Sequence, residues 1–148
     1  MASGWKSRCY KGEREIIIME GSGKMSTIIG HKVWAISDGY IQPKSIGDAE
    51  SHDGLCVLNS GDEDVHLNIT IYFADREPME NVFAACGARR TNHIRLDKLK
   101  DDKGENVPVG VPYSLKVESD VPVLIQHTRV DTSQNAMALM TTLGYPVD

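Results

Sequence analysis

Three short stretches of this sequence bring together residue types that can do chemistry. In the first, Trp34, Ile36, Asp38 and Tyr40 alternate, and the period of two in a strand lines an indole, a carboxylate and a phenol along one face. That combination suits a sugar: an aromatic face covers the apolar C–H side of the ring while a carboxylate accepts hydroxyl protons. The same residues also fit a core tryptophan followed by an Asp-Gly turn. The second stretch is Val121 to Arg129, with Val121, Val123, Ile125, His127 and Arg129 on one row and Leu124, Gln126 and Thr128 on the other. Both rows begin apolar and end polar. Such a strand is central, or carries an oligomer interface on its outer side, and presents Gln126, His127 and Arg129 at its end. A satisfied polar network at the mouth of a sandwich has the same composition.

The third stretch is Arg89 to Arg95, in which Thr91, His93 and Arg95 share a face. Arg90 and its neighbours beside His93 can bind an anionic ligand, or pair with the acidic turn Asp62 to Asp64. Of the remaining histidines, His52 sits in Glu50-Ser51-His52-Asp53, and His66 lies on the outer face of an apolar strand. No two histidines stand at i, i+2 or i, i+4, so no metal site is expected. The chain has no G-x-S-x-G, no phosphate-binding glycine loop and no cysteine–histidine signature. A binding protein without cofactor is expected, not an enzyme.

The elements that must position these residues are strands. Lys32 to Tyr40, Gly54 to Asn59, Val65 to Phe73, Asn81 to Ala85, Thr91 to Leu96, Tyr113 to Val117 and Val121 to Val130 are short, alternating segments bounded by turn residues. Val65, Leu67, Ile69, Ile71 and Phe73 form the clearest apolar row. The polar turn at 60–64 predicts a hairpin between the second and third segments. Thr132 to Leu143 is the exception, with Ala136, Met140 and Leu143 at helical spacing and Gly144 and Pro146 as stops. The pattern predicts an all-β antiparallel β-sandwich, jelly-roll-like, with a short C-terminal helix or tail.

Size and composition agree with one such domain. The chain has 148 residues, 41% hydrophobic and 25% charged, as in an ordinary globular protein. Residues 1–24 lack alternation and are expected to be an extension outside a domain at 25–148. Cys9, Cys56 and Cys86 are an odd set with no C-x-x-C pair, which points to a reducing, cytoplasmic setting. No apolar run approaches the ~20 residues of a membrane-spanning helix. The net charge of -5 disfavours DNA as the main partner.

Several motifs occur in one order: Trp34-Ala35-Ile36-Ser37-Asp38-Gly39-Tyr40-Ile41, Asn59-Ser60-Gly61-Asp62-Glu63-Asp64, Ile69 to Pro78, Ala88-Arg89-Arg90-Thr91, His93-Ile94-Arg95 and Gln126-His127-Thr128-Arg129. Together they resemble the sensory rhodopsin transducer family from about Ile28 to Tyr145. The resemblance implies a jelly-roll-like sandwich, a homotetramer, a mobile segment at Thr132 to Asp148, and docking of a soluble protein on a membrane photoreceptor. It also implies binding of a small polar ligand such as a sugar, with DNA binding as a further proposed role. Where the family has Glu before Gly-Tyr-Ile-Pro-Pro, this chain has Asp38 before Gly39-Tyr40-Ile41-Gln42-Pro43, a carboxylate one methylene shorter. The candidate ligand set is Trp34, Asp38, Tyr40, His52, Arg90, His93, Gln126, His127 and Arg129. The rival expectation is an adaptor whose contact is its C-terminal segment or its tetramer face.

Overall fold

Alternating burial along β1, β2, β3 and β6, the strands given below, sorts the chain into two facing sheets. A computed structural model describes residues 28–147, so the expected extension at 1–24 lies outside the described residues. The strands are β1 (His31–Gly39), β2 (His52–Asn59), β3 (Val65–Phe73), β4 (Met79–Cys86), β5 (Arg90–Arg95), β6 (Tyr113–Asp131), β7 (Ala138–Leu143) and β8 (Tyr145–Pro146), with one 3-10 turn at Leu96–Lys98. Sheet I runs β4-β3-β6-β1-β8, and sheet II is formed by β5, β2, the second half of β6 and β7, all antiparallel. The predicted all-β antiparallel sandwich is therefore the fold. Among the described residues no helix is long and apolar enough to cross a membrane.

The core lies between the sheets. Val65, Leu67, Ile69 and Ile71 of β3 and Leu115 and Val117 of β6 face Leu55 and Val57 of β2, Val123 and Ile125, all buried. Each such side chain contributes about 1.5–3 kcal/mol by leaving water, which fixes the register: a slip by one residue would turn the whole row outward.

Three expectations are corrected. Tyr113 to Val117 and Val121 to Val130 are not two strands but one, β6, whose first half pairs with β1 and β3 and whose second half pairs with β2 and β7. It bends between the sheets where His31 opposes Val123 but Val33 opposes Glu118. The extra residues on β6 form the corner, and Pro122, which has no N–H for a ladder, sits within it. Gly30, at φ +113, passes so close that a Cβ there would lie 2.0 Å from the Val123 carbonyl oxygen.

The second and third segments do not form a hairpin. β2 pairs with β5 and β6, and β3 with β4 and β6, so the turn at 60–64 carries the chain from one sheet to the other. Each strand is apolar on one face, and the two rows bury each other across the core more fully than as neighbours.

The C-terminal helix is replaced by β7 and β8. Residues Ala138–Asp131 through Leu143–Gln126 pair across β7 and β6, and Tyr145 and Pro146 pair with Ala35 and Trp34 of β1. The helical stripe had no core left to cover, whereas β6 and β1 offered open ladders; β-branched Thr141 and Thr142 suit a strand equally well. Gly144, between the two, is buried, and a Cβ on it would come within 3.1 Å of the Trp34 ring.

Candidate functional site

The inward row of β2 is apolar in its middle, Leu55 and Val57, and polar at both ends, Asp53 and Asn59. Asp53 is fully buried, and a carboxylate there persists only with partners that replace its water. Four come from three directions. The Tyr40 amide, just past β1, donates to Oδ2 at 2.8 Å, and the Tyr113 hydroxyl, at the start of β6, donates to the same oxygen at 2.8 Å. Arg129 stands directly opposite Asp53 on the ladder; its Nε donates to Oδ1 at 3.0 Å and a terminal nitrogen to Oδ2 at 3.4 Å. The fully buried His127 brings Nε2 to 3.2 Å from Oδ2, while neither ring nitrogen makes an aligned hydrogen bond among the described residues.

Local sequence explains this convergence. Gly39 opposes Tyr113 on the β1–β6 ladder, and a Cβ at Gly39 would land 2.1 Å from Cε2 of the tyrosine. Glycine is what lets the ring lie against the strand and reach Asp53. The step from Ile36 to Gly39 also contains a register shift, which takes Asp38 off the inward row of Trp34 and Ile36 and leaves it 71% exposed. There it receives Arg129 at 3.4 Å. Arg129, 20% exposed, thus joins a buried carboxylate to a solvent-facing one.

The electrostatics follow. Burial is the largest influence on the Asp53 carboxyl and pushes it up, but His127, Arg129, the Tyr40 amide and Tyr113 together outweigh it, so the group lies below its ordinary value. Burial first, then the Asp53 charge, push the Tyr113 phenol far above its ordinary value and keep it a donor. Burial disfavours the charge on Arg129, yet Asp53 and Asp38 more than compensate, and its value is raised.

Asp38 also lines a cleft of about 220 Å³ between β1 and the β7–β8 segment, with Ser37, Met140, Thr142 and Tyr145 among its walls. Tyr145 is 73% exposed. The cleft therefore offers a carboxylate, hydroxyls and an aromatic ring around one opening, with the Arg129–Asp53 network behind the carboxylate.

Of the sequence-derived set, Asp38, His127, Arg129 and the main chain of Tyr40 gather around Asp53. The rest lie elsewhere. Trp34 is 2% exposed, and its indole N–H donates to the carbonyls of His31 and Val123, each at 3.0 Å; it is a core residue with no free face for a sugar. His52 points to the opposite side of β2 from Asp53, its Nδ1 2.8 Å from the Glu50 carbonyl. His93 and Gln126 oppose Cys56 from either side on the outer face of sheet II, and Arg90 is exposed with its guanidinium on the Arg89 carbonyl. Arg89 reaches Asp62 of the acidic turn at 3.7 Å, and Arg95 is held by Asp97 and Glu50. Sequence reasoning missed Asp53 and Tyr113. The available signal was a carboxylate in the apolar row of Leu55 and Val57.

Residues 29–146 match the family model described as Anabaena sensory rhodopsin transducer. The chain belongs to that family. Among solved structures, the transducer family is represented by the Anabaena sensory rhodopsin transducer itself, 40% identical, covering 70% of this chain and 90% of that one at a TM-score of 0.62. The crystal structure of Thermotoga maritima 1070 is 37% identical and covers 80% of this chain and 96% of that one, at a TM-score of 0.72. No curated protein matches the chain. Asp38, Asp53, Tyr113 and Arg129 all lie inside the transducer-family match.

Proposed function

We propose that this protein is a non-enzymatic binding module for a small polar metabolite, a sugar or a related polyol, held in the cleft between β1 and the β7–β8 segment. The observation that carries the reading is the placement of Asp38: an exposed carboxylate on the wall of a cleft, steadied from behind by an arginine that is itself anchored on buried Asp53. In this reading Asp38 accepts ligand hydroxyl protons, Thr142 and Ser37 add hydroxyl contacts, and Tyr145 supplies the aromatic face first sought in Trp34. Asp53 and Tyr113 position Arg129 and do not touch the ligand. The reading carries with it a cytoplasmic location and homotetrameric assembly.

The test is thermal unfolding in the presence of a panel of neutral monosaccharides, disaccharides and polyols. A ligand at about 100 times its Kd stabilises the fold by about 2.7 kcal/mol, and Asp38→Ala or Tyr145→Ala should remove that gain while leaving the unliganded protein folded. Absence of stabilisation across the panel would sink the proposal.

A second reading has one observation in its favour: the relative at 40% identity is named as a sensory rhodopsin transducer. In that reading the exposed C-terminal strands dock on a membrane receptor. Co-purification with a rhodopsin encoded in the same genome would favour it. DNA binding is set aside, because the chain is acidic overall and Arg95 is neutralised by Asp97 and Glu50.

A further inference from the structure

The outer face of sheet I carries a groove of about 260 Å³ that shares no lining residue with the cleft beside Asp38. Opposed residues of an antiparallel pair share a face, so Phe83 of β4, Asn68 of β3 and Glu118 of β6 stand in one row across three strands. The pairing of β3 with β6 ends at Leu67 and Ser119, where β6 begins to turn toward sheet II. Asp120 closes that end: its Oδ1 accepts the His66 amide at 2.9 Å, and its Oδ2 lies 2.8 Å from the ring nitrogen Nδ1 of His66. The carboxylate is thereby fixed at the rim, and the amide hydrogen bond holds its pKa below the ordinary value. The groove offers a ring and acceptors. Phe83 is 60% exposed although it lies inside a strand. Glu118 and Asp120 supply two carboxylates, Glu118 sharing its charge with Lys116 at 3.0 Å in an exposed pair of the weak kind. Between Phe83 and Glu118, Oδ1 of Asn68 is buried and has no hydrogen-bond partner among the described residues, a state that is costly until a donor reaches it. The Ser119 hydroxyl, by contrast, is engaged by the Lys32 carbonyl at 3.2 Å.

The same molecule shows what a ring and a carboxylate hold together. Just beyond β3 the Arg76 guanidinium lies 5.4 Å from the centroid of the Phe73 ring, and its Nε and a terminal nitrogen donate to the two oxygens of Asp75 at 2.9 and 3.0 Å. We propose that the groove binds a small organic cation with an alkylguanidinium head, stacked on Phe83 and donating to Glu118, Asp120 and Asn68. The chemistry selects this head. A guanidinium is planar, weakly hydrated and carries five donors in a fixed fork, so it lies on a ring and serves several acceptors at once. An ammonium is a compact, strongly hydrated point charge, and a neutral sugar or polyol gains nothing from the opposite charge of two carboxylates. The groove therefore takes a different class of ligand from the cleft beside Asp38 and stands without it.

The probe is agmatine, a four-carbon chain with a guanidinium at one end and an ammonium at the other, measured by equilibrium dialysis against the full chain at low ionic strength. Saturable binding of one agmatine per chain is expected, weakened by about 0.5 M salt, which screens exposed charges. 1,4-Butanediamine and 4-aminobutylurea, which replace the head by an ammonium and by a neutral group of like shape, should each compete about tenfold more weakly. Phe83→Leu should weaken binding about fivefold, and Glu118→Gln together with Asp120→Asn about tenfold, each variant keeping the wild-type circular dichroism spectrum. Tyr145→Ala, in the cleft beside Asp38, should leave agmatine binding unchanged, so that this proposal and the polar-metabolite reading fail separately. Absence of saturable binding, equal competition by either analogue, unchanged affinity in a folded Phe83→Leu, or loss of binding in Tyr145→Ala would overturn the proposal. Should Phe83→Leu fail to fold, the analogues and the carboxylate variant decide.

Discussion

The two ends of the inward row of β2 hold two buried polar side chains, and they are built on different principles. At one end Asn59 donates to the carbonyls of Glu63, Gly87 and Cys86 at 2.7, 3.1 and 3.3 Å and accepts from the Gly61 amide at 3.0 Å. All its partners are main chain, none is charged, and together they hold the turn that passes from sheet II to sheet I. At the other end Asp53 is surrounded by side chains from both halves of β6, two of them charged or chargeable, and the network continues through Arg129 to Asp38 at the surface. The first end closes the sandwich. The second also closes it, but leads from the core to a cleft, which a purely structural plug has no need to do. Burial alone does not separate these roles; the identity of the partners does.

Substitutions at the two ends should break this comparison in different ways. Asp53→Asn leaves Arg129 partly buried without its main counter-charge and should cost about 3–5 kcal/mol, the usual loss on removing one partner of a buried pair, read by urea unfolding at neutral pH. It should also change the pH profile. Because the folded-state value of Asp53 is depressed, its contribution is fully present above the unfolded carboxylate value of about 3.9 and is lost as pH falls through the lower folded value. The gap between wild type and Asp53→Asn should therefore narrow on acidification below about pH 4. A gap independent of pH would show that the carboxylate's charge is not what stabilises this end.

Asn59→Ala should come next, at about 2–3 kcal/mol, since it strips buried carbonyls and an amide of their partner. Its cost should not vary between pH 3 and pH 7, in contrast to Asp53→Asn; a marked pH dependence would erase the distinction between the two ends. The smallest effect on stability is expected at Asp38. Asp38→Asn removes an exposed ion pair worth less than about 1 kcal/mol, yet should abolish ligand-induced stabilisation. A large loss of stability there would make Asp38 part of the scaffold and not of the ligand site.

Much of this was legible in the residues. Val65 to Phe73 is a strand with the bounds its alternation implies, and the apolar row of β3 is the row that is buried. His127 and Arg129 could be placed on one face of a strand ending in polar groups, and they do share the Asp53 network. Trp34 and Asp38, however, share no face in the fold. The register shift between Ile36 and Gly39 breaks the period of two, and nothing in a string of residue types marks where a ladder will skip.

Sequence by itself determined the all-β class, the approximate strands and the family, because alternation and ordered motifs are local properties of the chain. Only the tertiary structure decided that β6 serves both sheets, that the turn at 60–64 crosses between them, and that Thr132 to Leu143 gives up its helical spacing for a ladder. It alone brought Asp53 and Tyr113, 60 positions apart, onto one hydrogen bond. The physical reason is the same in each case. Side-chain period states which face a residue prefers, but the vacant ladder or the uncompensated charge that it meets there belongs to a distant part of the chain.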